Sequence, residues 1–480
     1  MIDREAVRAN AKYLRQVRPI DPDEIAEYIE GQPHPAVVAQ TLREEAFDLG
    51  LVEREDRTFV PLAAETIPHR EWEPEALPAD YSRAVEELLV DRFGPDWHRG
   101  ESGATLRSAI RKLKADYLAG DDIEYDATTA AGYAIYHLPA YYAAVGYVLA
   151  TLTERGLLPA SPRVLDVGAG VGGPGLGLHD FIFGGDPETR DPEAALVDYH
   201  AVEPSPAADV LEGLLGETSR NFRSTIHRST IEAFDYESVD GPFDLIVFGN
   251  VCNELDDPVA VVDNAVSQLT DDGTILLLEP ADRNTATELR AIERAVVGDD
   301  VTVYAPTLRL WDGAEPDDRG WSFDVRSDLS VPAFQERLAE GATEAGEDDP
   351  AAFCNVDVQF AYSLLRTDGE RRYPFRASRE RHAKMAAMDD HVTERIDLLA
   401  VKLSGDLSDG DNALFLIGDG SQTTDHYAVL TKESALNRAL ASADYGAVLS
   451  FENALVLWND DEEAYNLVVD GETVVDRLSG

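Results

Sequence analysis

The residues best suited to chemistry begin in a glycine-rich loop that follows the apolar run 164–167. Glycine lets the backbone turn tightly, and its backbone amide can approach a ligand without a Cβ atom in the way. The spacing of Gly168, Gly170 and Gly173 also satisfies the dinucleotide-binding fingerprint, although that pattern alone is a weak signal. The loop therefore predicts a nucleotide-like pocket, with ligand contacts expected from Asp166, Gly168, Ala169, Gly170 and Gly172.

A second acidic residue, Glu203, ends the next apolar run, 199–202. The residues after it, Pro204-Ser205-Pro206, supply a helix cap and a proline for the first helical turn, which places Glu203 at the carboxyl end of a strand. A carboxylate at that place in an open α/β sheet can accept hydrogen bonds from both hydroxyls of a nucleoside ribose. Glu203 and Pro204 are therefore predicted ligand contacts, and a salt bridge at the sheet edge is the alternative role for Glu203.

A polar turn follows another apolar run, 243–249. The spacing along the chain makes this run the fourth strand of the predicted sheet. In a sheet that binds S-adenosylmethionine, the residue after the fourth strand lies beside the sulfonium. Asn250 and Asn253 are therefore predicted catalytic residues that orient cofactor or acceptor, and Asn250 is also a predicted cofactor contact. The fifth strand closes with Glu279-Pro280. The glycine loop, the second-strand acid and these two strand ends together fit a methyltransferase better than a dehydrogenase.

Methyl transfer from a sulfonium asks little of the protein beyond positioning and exclusion of water, because the sulfonium is already a good electrophile. We therefore expect S-adenosylmethionine as cofactor and no metal, and we expect no dedicated base if the acceptor is a neutral nitrogen. Cys252 is an alternative catalytic group, since pyrimidine C5 methylation uses a cysteine nucleophile. A cysteine beside Val251 is more typical of a small buried apolar residue. His137 is likewise expected to be a packed neighbour.

Short apolar runs separated by spacers of helix length predict the elements that position these residues. Such alternation is typical of a parallel, doubly wound sheet with helices on both faces, here a Rossmann-like, class I methyltransferase sheet in the α/β class. The segment 356–365 is predicted to add a final antiparallel strand. The predicted parallel strands are 164–167, 199–202, 225–227, 245–248 and 275–278.

The regions on either side of this sheet differ in pattern. Three helical patterns followed by a short hairpin indicate a winged-helix-like region, for which an arbitrary helical cap is the alternative. A short-stranded C-terminal region with one helix, 433–441, fits a small barrel of OB type. The predicted organisation is 1–75 winged-helix-like, 76–128 a helical linker, 129–380 the methyltransferase domain with insertions at 184–192 and 301–350, and 390–480 the OB-like barrel.

Two groups of basic residues interrupt an otherwise acidic chain. Arg107, Arg111, Lys112 and Lys114 form a stripe that is expected to be a solvated helix face, with contact to an anion or to acidic neighbours as the alternative. The second group lies just before the predicted barrel, where arginine contacts to phosphate and stacking of bases on aromatic side chains would use it well. Internal salt bridging is its alternative role. The residues predicted to bind RNA are Arg371, Arg372, Arg376, Arg379, Arg381 and Lys384.

Composition narrows the class of protein further. A formal net charge of −51, dispersed along 480 residues, is typical of the solvated surface of a halophile's protein, and an acidic surface that binds a basic partner is the alternative. Two cysteines exclude a disulfide scaffold or a four-thiolate metal site within one chain. With no apolar leader and no apolar run long enough for a membrane span, we expect a cytoplasmic protein without membrane contact, and a monomer is favoured.

The sequence resembles the small ribosomal subunit and mitochondrial ribosome-associated methyltransferase-like proteins of the Rsm type, over residues 130 to 380. The resemblance lies in Tyr136-His137-Leu138-Pro139-Ala140-Tyr141-Tyr142-Ala143-Ala144, in the glycine loop, in Asn253-Glu254-Leu255, in Leu278-Glu279-Pro280 and in 360–365. It implies a methyltransferase-fold protein that acts on, or helps to assemble, the small ribosomal subunit. Many relatives carry a cysteine cluster thought to hold iron and sulfur, whereas here Ser322 stands where a cysteine is expected. No iron-sulfur cluster is therefore expected.

The leading hypothesis is an S-adenosylmethionine-dependent methyltransferase of small-subunit ribosomal RNA. A catalytically inactive RNA-binding factor that assists assembly of the small subunit is the alternative. It stays open because Asn250 and Asn253 lack the Asn-Pro-Pro-aromatic signature of many N-methyltransferases. A small-molecule methyltransferase is a third and weaker hypothesis, which the flanking domains and the second basic group disfavour.

Overall fold

The computed structural model describes residues 2–119, 123–184, 190–298, 300–314 and 321–479. Its internal contacts divide the chain into two units. The first comprises Met1–Gly249, Gln268–Thr270 and Asp328–Asp357, and the second comprises Asn250–Ser267, Asp271–Ser327 and Val358–Gly480. Within the described ranges, no helix combines the length and the apolar composition that crossing a bilayer requires.

The α-helices are numbered in chain order. They are α1 (Arg4–Leu14), α2 (Pro22–Tyr28), α3 (Pro35–Glu44), α4 (Ala46–Leu49), α5 (Ala79–Phe93), α6 (Gly100–Ala119), α7 (Ala127–Tyr136), α8 (Leu138–Thr153), α9 (Gly173–Phe183), α10 (Ala207–Leu215), α11 (Pro258–Val266), α12 (Arg283–Val296), α13 (Ala333–Ala345) and α14 (Ala439–Ser442).

The β-strands are numbered in the same way. They are β1 (Leu51–Glu53), β2 (Phe59–Pro61), β3 (Arg163–Val167), β4 (Val197–Val202), β5 (Phe222–His227), β6 (Phe243–Gly249), β7 (Leu269–Pro280), β8 (Thr302–Ala305), β9 (Asp324–Arg326), β10 (Val358–Arg366), β11 (Arg395–Lys402), β12 (Ala413–Gly418), β13 (His426–Leu430), β14 (Val448–Asn459), β15 (Ala464–Val469) and β16 (Val474–Arg477).

The first unit begins with helices α1 to α4 and the antiparallel hairpin β1–β2, in the order that the sequence predicts. Local signals set the helix limits: the Asp3 carboxylate accepts a hydrogen bond from the Ala6 amide at the start of α1, and Gly50 adopts the left-handed conformation that ends α4. The inward faces meet in an apolar core of their own, in which Val7, Ile25 and Phe59 are fully buried.

The basic stripe on α6 contains one residue that is not solvated. Arg107 is only 1% exposed; its Nε donates to Glu347 at 2.8 Å and its Nη1 donates to the His98 carbonyl at 3.2 Å. The expectation of a solvated face is therefore wrong at Arg107. Helices α6 and α13 come close enough for this contact because glycine occupies the crossing. A Cβ atom at Gly341 would lie 1.9 Å from the His98 carbonyl oxygen.

The four parallel strands of the first unit form the sheet that carries the glycine loop. Their order is β5-β4-β3-β6, with Val167 beside both Val202 and Phe248. The central strands β3 and β6 are buried along nearly their whole length because helices cover both faces of the sheet, whereas the edge strand β5 is partly exposed. The carboxyl ends of the four parallel strands meet along one edge, which is where open α/β sheets bind ligands.

Helices α8 and α9 pack against each other at very short range, because glycines of α9 face the α8 backbone. A Cβ atom at Gly177 would lie 2.2 Å from the Tyr142 carbonyl oxygen. A buried polar network locks the same contact: Tyr142 and Tyr81 donate to the two oxygens of Asp180 at 2.8 and 3.0 Å. The Ser219 amide donates to Nε2 of His179, so the Nδ1 atom carries the proton and donates to Asp180.

In the second unit, strand β10 lies antiparallel to β7 on one side and to β8 and β9 on the other. The predicted final antiparallel strand is thus present as β10, but it is not the edge strand. The interpretation of 301–350 as an insertion is wrong for Thr302–Ala305, because β8 is a strand of the sheet. The predicted insertion at 184–192 lies partly outside the described residues.

The C-terminal part of the second unit is a closed five-stranded barrel with the order β11-β12-β13-β15-β14, in which β14 pairs back to β11. Only β13 and β15 are parallel. The two strands predicted at 447–450 and 455–458 are one long strand, β14, which continues through the left-handed residue Asn453. The predicted helix 433–441 is shorter than expected and covers only Ala439–Ser442.

Candidate functional site

The glycine-rich loop is held against the end of strand β4. The amides of Gly168 and Ala169 both donate to the Val202 carbonyl, at 2.9 and 3.2 Å. Gly168, Gly170 and Gly172 all have positive φ angles, of 64°, 55° and 95°, which residues with a side chain rarely adopt. The backbone conformation of the loop is by itself sufficient reason for glycine at these three positions.

The glycines of this region differ in what surrounds them. A Cβ atom at Gly170 would meet nothing closer than the Gly168 carbonyl oxygen at 3.9 Å, so the space above this residue is open. A Cβ atom at Gly172 would lie 2.6 Å from Leu211, and one at Gly175 would lie 2.3 Å from the Tyr199 hydroxyl. Gly170 thus leaves room for a ligand, whereas Gly172 and Gly175 permit close internal packing.

Glu203 joins the loop to the helix that follows β4. Its Oε2 accepts from the Gly170 amide and its Oε1 accepts from the Ser205 amide, each at 2.8 Å. The side chain is buried, and both contacts are charge-assisted hydrogen bonds. A carboxylate has about four acceptor positions, so two remain for further donors such as hydroxyl groups. Pro204 and Ser205 complete the turn into α10.

Asp166 lies beneath the loop and is 1% exposed. Its Oδ2 accepts from the Tyr199 hydroxyl at 2.5 Å, whereas its buried Oδ1 has no hydrogen-bond partner among the described residues. Burial raises the pKa of Asp166 to about 7, and the charge of Glu203 adds to that rise while the Tyr199 hydrogen bond opposes it. The site thus contains an unpaired buried acceptor that a donor on a ligand would satisfy.

The two candidate asparagines occupy different environments. Asn250 directly follows β6, has a φ of 60° and donates its amide to the Leu278 carbonyl at 2.7 Å. Its side chain is about nine-tenths buried, and its Nδ2 has no partner among the described residues. Asn253 lies in a short 3-10 helix, Cys252–Glu254, and is exposed. A strained backbone and an unpaired buried donor are common at functional sites, which favours Asn250.

Glu279, at the end of β7, is a buried polar residue to which sequence reasoning gave no role. Its Oε1 accepts from the Cys252 amide at 2.9 Å, while its Oε2 is buried without a partner in the described part of the chain. Burial raises its pKa to about 8. The sequence signal that could have identified Glu279 is an acidic residue at the end of the predicted fifth strand. The Cys252 thiol is also buried, and its pKa is raised by burial and by Glu279, so it is a poor candidate for a nucleophile.

His137 belongs to an aromatic group between α7 and α8. Its ring stacks on Tyr141 with centroids 5.2 Å apart and lies 4.7 Å from the Tyr133 ring. Burial and the neighbouring charge of Lys114 lower the His137 pKa to about 4, so the imidazole is neutral near pH 7. The expected packing role fits this environment.

The residues predicted to bind RNA lie in an irregular segment between β10 and β11. Arg371 and Arg372 are half-buried, and Arg376, Arg379 and Arg381 are exposed. Lys384 lies over the Trp311 ring, with its Nζ 5.6 Å from the centroid. Arg366, just before this group, is buried and pairs with Asp368, so it belongs to the core of the sheet.

Comparison with protein families places a methyltransferase domain at residues 140–330. Residues 4–55 and 386–478 match the N-terminal and C-terminal domains of a domain of unknown function, DUF8157. The first match confirms the prediction of a methyltransferase domain in the centre of the chain, and with it the expected cofactor, S-adenosylmethionine. No curated protein matches the chain.

Several solved methyltransferase structures are similar to parts of the chain. The plantazolicin methyltransferase BamL, in complex with S-adenosylhomocysteine and a desmethylplantazolicin analogue, is 12% identical and covers 60% of this chain and 97% of its own, with a TM-score of 0.30. The mitomycin 7-O-methyltransferase MmcR is 13% identical and covers 76% and 94%, with a TM-score of 0.28. An S-adenosylmethionine-dependent methyltransferase from Clostridium acetobutylicum is 14% identical and covers 41% and 64%, with a TM-score of 0.23. TM-scores this low support no argument about substrate.

Proposed function

We propose that this protein is an S-adenosylmethionine-dependent methyltransferase that acts on the RNA of the small ribosomal subunit. The observation that carries the cofactor half of the proposal is the carboxylate of Glu203, which bridges the Gly170 and Ser205 amides at the carboxyl edge of the parallel sheet. Open α/β sheets bind nucleoside ligands at this edge, and an acid in this place binds ribose hydroxyls.

The residues of the loop fit the cofactor in two respects. The buried Oδ1 of Asp166 lacks a partner among the described residues, and the space over Gly170 is open. We assign Asp166, Gly168, Ala169 and Gly170 to cofactor binding, with Glu203 and Pro204 at the ribose and Gly172 as the residue that shapes the loop. When bound, the cofactor supplies a methyl group on a sulfonium that is already a good electrophile.

The polar turn after β6 provides the groups for orientation. The side-chain amide of Asn250 is buried, and its Nδ2 is a donor without a partner among the described residues. We therefore assign Asn250 to orienting the cofactor or the acceptor. We assign the exposed Asn253 to orienting the acceptor alone. Transfer then depends on holding the acceptor in line and excluding water.

The RNA half of the proposal depends on the second unit and on the resemblance to the Rsm type. The order β11-β12-β13-β15-β14 with β13 and β15 parallel is the arrangement expected of an OB-type barrel, a fold that commonly binds oligonucleotides. The segment 371–384 precedes that barrel directly and carries all six basic residues predicted to bind RNA. In a chain with a net charge of −51, such a segment favours a polyanionic partner.

The decisive experiment maps methylated nucleotides in small-subunit RNA from a strain that lacks the gene. One missing methyl group, restored by the wild-type gene and not by a Gly170→Arg variant, is the expected result. Gly170→Arg fills the open space above the loop and requires a residue with a side chain at a positive φ. A complete set of methyl groups, together with a small-subunit assembly defect, would replace the proposal with the inactive assembly factor.

A further inference from the structure

A buried group of charged side chains in the second unit has more positive than negative charge. Arg290 and Arg309 both donate to Glu293, each through one Nη1 contact of 2.6 Å to a different carboxylate oxygen. Arg290 and Glu293 are fully buried, and Arg309 is 8% exposed. Burial alone would raise the pKa of Glu293, but the two guanidinium groups hold it below its usual value. These three side chains, Arg290, Arg309 and Glu293, form a triad that carries one net positive charge.

The partners of the triad divide unevenly between its two arginines. Arg290 also donates to the Tyr362 carbonyl at 2.9 Å and to the Tyr445 hydroxyl at 3.3 Å. Arg309 has no such additional acceptor: its Nε and Nη2 are buried without a partner among the described residues. A buried guanidinium with unpaired donors is costly, because both its charge and its N–H groups have lost water. Arg309 thus holds two of the unpaired donors of the group, whereas Arg290 leaves only its Nε unpaired among the described residues.

Two further arginines lie around Arg309. Arg376 donates to the Arg309 carbonyl at 3.3 Å and lies 3.5 Å from the carboxylate of Asp312, a side chain that is 91% exposed. The pKa of Arg371 is lowered by burial and by the nearby charges of Arg376 and Arg309, so these three guanidinium groups repel one another. The carboxylate whose charge acts against that repulsion at Arg371 is the same exposed Asp312.

Backbone contacts fix the segment that carries Arg309. The Leu310 amide donates to the Asp419 carbonyl at 3.1 Å, and the Ala377 amide donates to the Leu310 carbonyl at 2.8 Å. A Cβ atom at Gly420 would lie 2.5 Å from the Leu308 carbonyl oxygen. The backbone that carries Arg309 is therefore held between the segment 371–377, which carries Arg371 and Arg376, and the loop that joins β12 to β13.

We propose that Arg309, Arg371 and Arg376 form a binding site for a phosphate group of the RNA backbone. This inference rests on the proposed function and deepens it by assigning the contact to a particular group of residues. The planar guanidinium fork matches a phosphate oxygen pair, and a phosphodiester supplies the negative charge that the triad lacks. The site also includes Arg309, which no pattern in the sequence marks as a binding residue.

Binding of a short fluorescein-labelled single-stranded RNA, followed by fluorescence anisotropy over a range of KCl concentrations, tests the site. Arg371→Gln and Arg376→Gln are each expected to weaken binding about tenfold. Each is also expected to reduce the slope of log Kd against log salt concentration by about 1, the value for one lost phosphate contact. Arg438→Gln, which removes an exposed arginine of the same unit, is the matched control and is expected to bind as the wild type does.

Arg309 needs a milder change because it also pairs with Glu293. Arg309→Lys keeps the charge and removes the fork, so it is expected to weaken RNA binding severalfold while the melting temperature stays near that of wild type. The inference is overturned if Arg371→Gln and Arg376→Gln bind RNA as tightly as Arg438→Gln. A failure of the proposed function would be seen in a different measurement, in which the wild-type protein transfers no labelled methyl groups to small-subunit RNA.

Discussion

Replacement of Glu203 by glutamine tests the cofactor site through two hydrogen bonds. The carboxylate accepts from Gly170 and from Ser205 at 2.8 Å in each case, and a glutamine side chain would keep one acceptor oxygen and place an NH2 group against the other amide. Loss of one charge-assisted hydrogen bond, with a buried donor left unsatisfied, costs about 1.5–3 kcal/mol. If the glycine loop must keep its conformation to bind ligand, that cost appears as a roughly 10- to 100-fold weaker affinity.

The assay is titration calorimetry with S-adenosylhomocysteine, which binds without reacting, in buffers from low to multimolar KCl. Glu212→Gln, on the exposed face of α10, removes the same charge from the same part of the chain without touching the loop, and its affinity is expected to match that of wild type. Circular dichroism confirms that each variant is folded. A Glu203→Gln affinity within twofold of the Glu212→Gln value would refute the role assigned to Glu203.

Three further predictions concern stability. Gly177→Ala is expected to lower the free energy of unfolding by about 1–3 kcal/mol, measured by urea denaturation, because its Cβ atom would lie 2.2 Å from the Tyr142 carbonyl oxygen; Gly213→Ala, where a Cβ atom meets nothing within 4 Å, is the control. Arg107→Ala is expected to cost about 1–3 kcal/mol in the same measurement, since it leaves the His98 carbonyl without its buried donor, whereas Glu347 keeps Arg111 as a partner; the neighbouring exposed Arg111→Ala is expected to cost less. Asp166→Asn is expected to change the pH dependence of the melting temperature, because the pKa of Asp166 rises from 3.8 to about 7 on folding.

The sign of that last effect follows from proton binding. Between pH 4 and pH 7 the folded protein holds a proton on Asp166 that the unfolded chain has lost, so this residue's contribution to stability falls as pH rises. Asparagine does not titrate, and the melting temperature of Asp166→Asn relative to wild type should therefore rise across this range and level off above it. A constant difference across the range would mean that Asp166 is ionised in the folded protein throughout. For Gly177→Ala and Arg107→Ala, costs no larger than those of their controls would contradict the packing described.

The parallel strands and the glycine loop were predictable because their signals are local. Apolar runs of strand length alternate with helix-length spacers, and Gly168, Gly170 and Gly172 follow the strand that they terminate. The long strand β14 was not predictable as one element, because Glu452-Asn453 interrupts the apolar pattern and asparagine is typical of a turn. Pairing with β11, β15 and β16 overrides that local preference.

The sequence does not show which charged residues are buried. Arg107 is buried by a partner, Glu347, that lies 240 residues away along the chain, and Arg309 is buried by Glu293 and by the loop at Asp419. In the sequence these arginines cannot be told apart from those that lie in solvent. The same limit applies to Asp166 and Glu279, whose strand-end positions were visible but whose unpaired oxygens appear only once the neighbouring strands are in place.

The parallel pairing of β13 with β15 imposes an order on the making of the C-terminal barrel. Strand β14 lies between them in sequence, so the edge of β13 stays open until Ala464–Val469 has been synthesised and has left the ribosomal exit tunnel. Until then β12 and β13 form a hairpin with an unpaired backbone edge, a state that is prone to wrong pairing with other chains. Closure is therefore a late event in biogenesis, and translation pauses or truncations before residue 464 would leave this edge exposed.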